Sequence, residues 1–473
     1  MKHTKIVATI SDIRCEPEFL QSLYEAGMNV VRMNTAHMTP ETAMPVIDNI
    51  RTVSEKIAIL VDTKGPEIRT IGIGEPILVE EGELIEVSGI VREKTDSGRK
   101  FFAVTYPEMH LEIPIGGKVL IDDGELELTV IERLENAVVC RVENKGKVKN
   151  KKSVNTPGFT VQLPSISAKD ASFIEFAAKA GVDFIAHSFV RNAQDVIDVQ
   201  KILDRFNSPI KIIAKIENYD GVNNIDEILD HAYGIMVARG DLGIEIPAEK
   251  IPGIQRMLIK KCVERKKPVI VATQMLHTMI DNPRPTRAEV SDVANAIFSR
   301  ADAIMLSGET AYGNYPVEAV KIMNRIANEV EHSKDKRNDI TIPAGGGEVP
   351  AYLAEAAIHA SKEVDAKAIV TNTNTGRTAR YLAAFRGTKT VYAQCYAPHV
   401  ARELALSYGV YAGVIEAKKD KFKMVRTCLK ALEAEGALKA EDQIVYVGGS
   451  FGVGGGSTFM EVSTVEKLTQ KEN

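Results

Sequence analysis

Short, continuously apolar runs alternate with amphipathic helical patterns through much of the chain. Runs of this kind, separated by helices, are typical of parallel strands that are covered on both faces. The clearest helical patterns span 17–26 and 288–299. The apolar runs are 6–10, 30–33, 57–61, 184–186, 212–216, 235–237, 269–272 and 303–306. Eight such runs predict a (β/α)8 TIM barrel.

A different pattern interrupts the barrel between its third and fourth runs. Residues 84–87 and 126–130 alternate apolar and polar side chains, and turn sequences occur at 123–124 and 144–146. This period of two is typical of antiparallel strands. We therefore predict a small β domain inserted in the third βα loop. Loops of this type emerge at the catalytic face of a barrel, so the insertion is a candidate lid.

The last part of the chain forms a third pattern. Residues 333–350 are polar and contain glycine and proline, which is typical of a linker. Beyond it, strand-like runs near 368–370, 390–393, 413–415 and 444–447 alternate with helical patterns and predict a smaller α/β domain. The predicted boundaries are 1–68 with 166–338 for the barrel, 69–165 for the lid and 350–473 for the C-terminal domain.

Composition narrows the range of partners and compartments. The chain has 473 residues, too many for one core, and a formal net charge of -5. This charge argues against a nucleic acid or an anionic membrane surface as partner. No apolar stretch approaches the ~20 residues that span a bilayer. Five scattered cysteines without metal-ligand spacing predict reduced thiols, and the N-terminal sequence lacks a signal-peptide pattern, so we expect a cytoplasmic protein.

Charged residues follow two of the apolar runs abruptly. Lys215 and Glu217 end the run 212–216, and Asp241 follows the run 235–237. Charge at the end of a buried strand is costly unless it is paired, metal-bound or used in chemistry. An ordinary buried salt bridge would explain this pair alone. Two carboxylates beside an ammonium at neighbouring strand ends would also hold Mg²⁺ and an anionic substrate.

Polar side chains at nearly every strand end favour the catalytic interpretation. Barrel enzymes place their reactive groups at the carboxyl ends of the strands. A structural explanation would need a separate buried pair for each strand. The other polar strand ends carry Arg32, Asn34, Asp62, Thr63, Lys64, Ser188, Arg239, Thr273, Gln274, Ser307 and Glu309.

Several longer motifs resemble the pyruvate kinase family. They are Asp62-Thr63-Lys64-Gly65-Pro66-Glu67-Ile68-Arg69, Lys215-Ile216-Glu217-Asn218, Met236-Val237-Ala238-Arg239-Gly240-Asp241-Leu242-Gly243 and Met305-Leu306-Ser307-Gly308-Glu309-Thr310. The resemblance covers essentially the whole chain. It implies a barrel domain, a mobile β-barrel lid, a C-terminal α/β regulatory domain and a homotetramer. It also implies transfer of a phosphoryl group from phosphoenolpyruvate to ADP, with Mg²⁺ (or Mn²⁺) and K⁺ as cofactors.

The same resemblance implies roles for individual residues. Glu217 and Asp241 would hold Mg²⁺, whereas Asn34, Asp62 and the Thr63 carbonyl would hold K⁺. Lys215 and Arg32 would neutralise the transferring phosphoryl group. Carbon protonation would involve Thr273, with Ser307 and Glu309 as a proton relay. The other implied binding residues are Gly240, Asp123 on the lid, and His37, Arg69 and Lys169 facing the nucleotide phosphates.

Simpler interpretations remain for three of these residues. Thr273 could hydrogen-bond its own backbone, Lys169 could be a solvated helix charge, and His37 could be a loop residue. Two alternative functions also remain, namely a metal-dependent lyase or aldolase and a catalytically silent sensor of phosphorylated effectors. Intact Lys215, Glu217, Asp241 and Thr273 argue against the silent sensor, and the lid motifs favour the kinase.

The chain departs from the family pattern near its first two strands. Residues 11–14 read Ser-Asp-Ile-Arg where the family has Gly-Pro-Ala-Ser beside the nucleotide base, so different base contacts are expected. Ala36 replaces a serine whose hydroxyl is expected on K⁺, although Glu67 matches the K⁺-dependent variant.

A loop in the C-terminal domain is a candidate phosphate site. It comprises Thr373, Thr375, Gly376, Arg377 and Thr378, between a predicted strand and a predicted helix. Hydroxyls and backbone N–H groups at a helix start bind phosphate, and the loop resembles the sugar-phosphate effector loop of regulated relatives. The glycine-rich segment 448–457 would lie opposite. An ordinary helix cap and turn explain the same residues.

Overall fold

The protein is described by a computed structural model that covers residues 2–92, 95, 97–159, 163–333, 348–418, 420–449 and 456–470. Its strands are β1 Lys5–Ile10, β2 Val30–Asn34, β3 Ala58–Asp62, β4 Ile68–Ile71, β5 Ile77–Val79, β6 Leu84–Ser88, β7 Lys100–Val104, β8 Lys118–Ile121, β9 Leu126–Arg133, β10 Val138–Val142, β11 Gly146–Val148, β12 Ser153–Asn155, β13 Phe184–His187, β14 Lys211–Ile216, β15 Gly234–Ala238, β16 Val269–Ala272, β17 Ala303–Leu306, β18 Ala368–Thr373, β19 Thr390–Cys395, β20 Val410–Val414, β21 Gln443–Gly449 and β22 Ser457–Thr464.

The α-helices have comparably clear limits. They are α1 Pro17–Ala26, α2 Pro40–Val53, α3 Met109–Glu112, α4 Ala168–Ala180, α5 Ala193–Arg205, α6 Tyr219–Asn223, α7 Ile225–His231, α8 Arg239–Glu245, α9 Ile251–Glu264, α10 Arg287–Phe298, α11 Gly308–Ala311, α12 Pro316–Ser333, α13 Val349–Glu363, α14 Arg377–Ala384, α15 Pro398–Glu403, α16 Lys421–Ala434 and α17 Val465–Gln470. Among the described residues, no helix combines the length and apolar character that a membrane span requires.

Eight parallel strands close into the predicted barrel in the order β1-β17-β16-β15-β14-β13-β3-β2. The strands are buried on both faces, which explains their continuously apolar sequences. One set of side chains, including Val7, Leu60 and Ile213, fills the barrel interior. The other set packs against the surrounding helices. All eight carboxyl ends therefore meet at one rim.

The insertion leaves this rim after β3 and returns before α4. It forms a second closed barrel with strand order β10-β6-β7-β4-β12-β8-β9, beside a two-stranded ribbon of β11 and β5. The predicted β insertion is confirmed, with one difference in pairing. β6 and β7 run parallel, although most other pairs in this barrel are antiparallel. The intervening segment between β6 and β7 makes this parallel pairing possible.

The C-terminal domain contains one sheet with the order β20-β19-β18-β21-β22. The first four strands are parallel, as expected from their alternation with helices, whereas β22 pairs antiparallel with β21. The sequence reading omitted β22, because its polar residues and preceding glycines obscure the strand pattern. It also placed β20 too late, since that strand begins at Val410. Most of the predicted linker, 334–347, lies outside the described residues.

A buried ion pair joins the C-terminal domain to the base of the barrel. Both terminal nitrogens of Arg386 contact Asp302, at 2.9 and 2.7 Å. The Asp302 carboxylate also accepts the backbone N–H groups of Val269 and Tyr408. The Arg386 and Asp302 side chains are only 1% and 4% exposed. Their pairing therefore fixes the two domains through a fully bonded carboxylate.

Breaking this pair should loosen the interface between the domains. Arg386→Met would leave a buried carboxylate without its cation, a change that typically costs about 3–5 kcal/mol. We expect a clearly lower urea midpoint for unfolding. The control is Arg325→Ala, which removes a surface pair with Glu318 and should cost less than about 1 kcal/mol. Equal midpoints for the two variants would show that the buried pair does not secure the interface.

Candidate active site

The sequence-derived site residues of the barrel lie at or beside the carboxyl ends of its strands. Lys215 is within the last turn of β14, and Glu217 follows that strand directly. Asp62 ends β3, whereas Asp241 lies in the first turn of α8 after β15. Because these strands are parallel members of one barrel, their ends converge at the same rim.

Lys215 is the centre of this rim. Its Nζ atom lies 3.0 Å from Asp62 Oδ1 and 2.9 Å from Glu217 Oε1, and it donates to Ser188 Oγ at 2.7 Å. Burial disfavours the ammonium charge, but Asp62 and Glu217 outweigh that effect and raise the Lys215 pKa. The side chain is therefore a fixed cation at the mouth of the barrel.

Arg32 provides a second cation beside the first. Its Nε and Nη2 atoms both lie 2.6 Å from Asp62 Oδ2, and Nη1 donates to Thr9 Oγ1 at 3.1 Å. Burial disfavours the Asp62 carboxylate, but Arg32 and Lys215 prevail and lower its pKa. Asp62 thus holds two cations side by side, in a position suited to a multiply charged anion.

Glu217 and Asp241 form the acidic side of the rim. Glu217 Oε2 accepts the Phe189 N–H at 2.7 Å, and Phe189 adopts a left-handed backbone with φ 56°. Burial is the largest contribution that raises the Glu217 pKa, and the Asp241 and Asp62 charges add to it while Lys215 opposes it. A cation bound between the carboxylates would relieve this repulsion. The donor set therefore fits a divalent metal.

Additional ligands are needed to complete such a site. Within the described residues, no group of three or more histidine, cysteine, aspartate or glutamate side chains is arranged to hold a metal. Mg²⁺ often binds through one or two carboxylates, with substrate oxygens and waters supplying the rest. The pair of carboxylates therefore matches a metal that arrives with an anionic substrate.

The three residues expected to bind K⁺ are adjacent, but their oxygens already have protein partners. Asn34 Oδ1 accepts the Ala36 N–H at 3.1 Å, and the Thr63 carbonyl accepts from Ser188 Oγ at 2.6 Å. Asp62 and Asn34 are paired in register at the ends of β3 and β2. Amide, carboxylate and carbonyl oxygens at this corner fit a monovalent cation in kind.

Thr273 occupies a strained turn immediately after β16. It has φ 68° and the next residue, Gln274, has φ 54°. A β-branched residue is rarely left-handed, and such conformations typically cost about 1–3 kcal/mol. Thr273 Oγ1 donates to the Ala272 carbonyl at 2.6 Å and accepts the Gly240 N–H at 2.8 Å. The hydroxyl is thus held at a defined position beside α8.

Ser307 and Glu309 follow β17 on the same rim. Glu309 is buried, and its two carboxylate oxygens accept the N–H groups of Ser307 at 2.7 Å and Leu276 at 3.2 Å. These contacts join the loop after β16 to the loop after β17. Glu309 therefore has a structural role that is compatible with the expected relay.

The lid brings Asp123 to the open side of the rim. A cleft with an empty volume of about 980 Å³ lies between the lid and the barrel, and both Asp123 and Asp241 line it. Asp123 has φ 57°, and its Oδ1 accepts from Ser153 Oγ at 2.7 Å. Arg69 lies at the base of the lid, where Nη2 pairs with Glu67 at 2.8 Å.

The other two residues expected near the nucleotide lie on the barrel side. Lys169, in the first turn of α4, donates to the Ala36 carbonyl at 3.2 Å. His37 is exposed in the neighbouring loop. Both residues are accessible to a phosphate, and the Lys169 contact shows more order than an isolated surface charge would have.

Sequence reasoning gave no site role to three residues that shape the rim. Ser188 bonds both Lys215 and the Thr63 carbonyl, Phe189 supplies an N–H to Glu217, and Arg239 contacts the Thr273 carbonyl at 2.7 Å. Ser188 and Arg239 were visible as polar strand ends. The left-handed conformation of Phe189 has no signature in the sequence.

The candidate effector loop is largely bonded within the domain. Thr373 Oγ1 accepts the Gly376 N–H at 2.9 Å, and the Thr378 and Ser457 hydroxyls lie 2.6 Å apart. Arg377 pairs with Glu348 at 2.9 Å. Thr375 supplies a carbonyl to Arg380 at 2.9 Å. Residues 450–455 of the opposing glycine-rich segment lie outside the described residues.

Comparisons with known proteins agree on one family. The model described as the pyruvate kinase barrel domain matches residues 1–320, and the pyruvate kinase alpha/beta domain matches 352–463. A pyruvate kinase of Borreliella burgdorferi is 49% identical over 477 residues, covering 100% of this chain and 99% of the relative. That of Geobacillus stearothermophilus is 43% identical over 481 residues, covering 99% and 81%. The crystal structure of a pyruvate kinase from Cryptosporidium parvum aligns with TM-score 0.91 and 36% identity, covering 98% of this chain and 96% of its own.

Proposed function

The chain belongs to the pyruvate kinase family, and from this premise we propose how its residues transfer the phosphoryl group of phosphoenolpyruvate to ADP, giving pyruvate and ATP. The observation that carries the assignment of roles is the arrangement of Lys215 between Asp62 and Glu217 at the rim. Phosphoryl transfer depends mainly on positioning and charge neutralisation, which fixed cations and carboxylates supply.

Glu217 and Asp241 would hold the divalent cation, Mg²⁺ or Mn²⁺. When bound, such a cation neutralises charge on the carboxylate and phosphoryl oxygens of the substrate. The raised pKa of Glu217, caused by its burial and by the neighbouring acids, supports this role because an added cation stabilises the ionised carboxylate.

Lys215 and Arg32 would contact the transferring phosphoryl group. Both are held by Asp62, so their charges stand ready before the substrate arrives. Lys215 would also stabilise the enolate oxygen that develops as the phosphoryl group leaves. Groups that need no reorganisation during the reaction contribute most to catalysis in a site that excludes water.

Thr273 would supply the proton that converts enolpyruvate to pyruvate. The C3–H bond forms as the hydroxyl O–H bond breaks, and Ser307 with Glu309 would return a proton from solvent. The defined position of the hydroxyl beside Gly240 supports this role. Gly240 has no side chain to obstruct the substrate at this place.

The nucleotide would enter the cleft between barrel and lid. Arg69, Lys169 and His37 would face its phosphates, and Asp123 would approach when the lid closes. Closure would exclude water that could otherwise accept the phosphoryl group.

Asn34, Asp62 and the Thr63 carbonyl would hold K⁺ beside the phosphoryl site. Their oxygens support the assignment in kind, and Ala36 leaves the set one hydroxyl short. We further propose a cytoplasmic homotetramer with domain boundaries at 1–68 with 166–338, 69–165 and 350–473. In this assembly, the loop containing Thr373, Thr375, Gly376, Arg377 and Thr378 would bind a phosphorylated effector.

The divalent site can be tested by changing one of its charges. Asp241→Asn keeps the size of the side chain but removes a negative ligand, so we expect the Mg²⁺ concentration for half-maximal activity to rise about tenfold or more. Pyruvate formation from phosphoenolpyruvate should be measured with and without ADP and Mg²⁺. Asp292→Asn, which does not alter a proposed ligand, controls for loss of acidic charge nearby. Unchanged Mg²⁺ dependence in Asp241→Asn would refute this ligand.

The monovalent site predicts a gain rather than a loss. K⁺ should activate the parent enzyme, and Ala36→Ser should lower the K⁺ concentration for half-maximal activation because it restores a hydroxyl ligand. Ala36→Val is the matched control for a change in size without an added oxygen. Equal rates in K⁺ and in tetramethylammonium would show that no K⁺ site is used.

The effector loop predicts opposite effects from two partners. Arg377→Ala should weaken activation by a phosphorylated metabolite about tenfold or more, since a charge-assisted hydrogen bond typically contributes about 1.5–3 kcal/mol. Glu348→Gln should strengthen activation, because Glu348 now occupies the Arg377 guanidinium. Sugar phosphates and nucleoside monophosphates should be screened at sub-saturating phosphoenolpyruvate. If none activates the parent, the loop is only a helix cap.

A further inference from the structure

Arg239 connects three elements around the proposed proton donor. It begins α8 directly after β15, and its guanidinium reaches the turn after β16. Nη2 donates to the Thr273 carbonyl at 2.7 Å, and Nε donates to the Ala272 carbonyl at 3.3 Å. On its other side, Nη1 pairs with Asp292 of α10 at 2.7 Å. With only 11% of its side chain exposed, Arg239 is anchored rather than solvated.

Thr273 is therefore held at two points by consecutive residues. Arg239 binds its carbonyl, and the Gly240 N–H binds its hydroxyl at 2.8 Å. The turn needs such anchors because Thr273 and Gln274 are both left-handed, a conformation that a β-branched residue avoids. Without the guanidinium, two strand-end carbonyls would lose their shared donor and the turn could relax.

We propose that Arg239 is a positioning residue for the carbon-protonation half of the reaction. This inference rests on the proposed function of Thr273 as proton donor. In the tripeptide Arg239-Gly240-Asp241, the first residue fixes the Thr273 backbone, the second fixes its hydroxyl, and the third is the proposed metal ligand. The tripeptide thereby sets the position of the donor relative to the bound substrate.

The two halves of the reaction depend on this position to different degrees. Protonation forms a C3–H bond while a donor O–H bond breaks, and the reverse step breaks C3–H and leaves the enolate. Phosphoryl transfer moves a phosphoryl group between oxygens and involves no bond to C3. A displaced Thr273 should therefore slow proton transfer at carbon while phosphoryl transfer continues.

The decisive variant is Arg239→Lys. Lysine keeps the charge beside Asp292 but lacks the planar fork that spans two carbonyls. Carbon proton transfer is measured by NMR as deuterium incorporation from D₂O into the methyl group of pyruvate, with Mg²⁺, K⁺ and ATP present. Phosphoryl transfer is measured with ATP and glycolate, an acceptor phosphorylated on oxygen without a C–H step. We expect exchange to fall about tenfold or more, with glycolate phosphorylation within about threefold of the parent.

Chemical rescue separates positioning from general support of the fold. In Arg239→Ala, added guanidinium should restore part of the exchange, whereas tetramethylammonium at the same concentration should not. Arg265→Lys, which alters a cation paired with Asp226 and Asp230 outside the site, should behave like the parent. Equal losses in both half-reactions without rescue by guanidinium would overturn the inference and leave Arg239 as a structural residue.

The outcomes also separate this inference from the function on which it rests. If the parent neither forms pyruvate nor exchanges its methyl protons, the proposed function fails. If the parent exchanges but Thr273→Val does so equally fast, Thr273 is not the donor and the positioning role falls with it. Loss of exchange in Thr273→Val together with selective loss in Arg239→Lys would support both.

Discussion

The active rim depends on the enclosure of one ammonium group between two buried carboxylates. β13 separates β14 from β3 in the barrel, so Lys215 reaches across an intervening strand to contact Asp62. Ser188, which follows β13, fills the gap by bonding the same Nζ atom. Removing these charges from water is costly, and only their mutual pairing offsets that cost. The chain thus cannot bury Lys215 without also fixing three strand ends, and this fixed geometry is what an anionic substrate meets.

Backbone strain is concentrated where the chemistry is proposed. Asp123 on the lid, Phe189 after β13, and Thr273 with Gln274 after β16 are all left-handed without being glycine. In each case the unusual backbone turns a useful group into the cleft or supplies an N–H to a carboxylate. Such conformations persist only when their surroundings hold them. Here the apolar barrel interior and the ion pairs of the rim provide that support, so the rigid part of the fold stabilises the costly part.

The sequence predicted the architecture well because most of its evidence is local. Continuous apolar runs report burial on both faces, and charge at their ends reports the rim, which is why Lys215, Glu217 and Asp241 were identified before any coordinates. Contacts between distant segments left no comparable pattern. The Arg239–Thr273 contact and the Arg377–Glu348 pair depend on how separate elements pack. β22 was missed for a related reason, since an edge strand with many polar residues is stabilised by its pairing with β21 rather than by its own apolar content.

The closure of the barrel has a consequence for the order in which a nascent chain can fold. β1 pairs with β2 early, but its other neighbour is β17, with Lys5 opposite Ala303. At a synthesis rate of ~10 residues per second, about half a minute passes before that partner emerges from the ribosome. The inserted lid has its own closed barrel and can mature during this wait. The first strand, by contrast, keeps an unsatisfied edge throughout, which makes the unfinished barrel the stage of biosynthesis most exposed to mispairing and most dependent on chaperones.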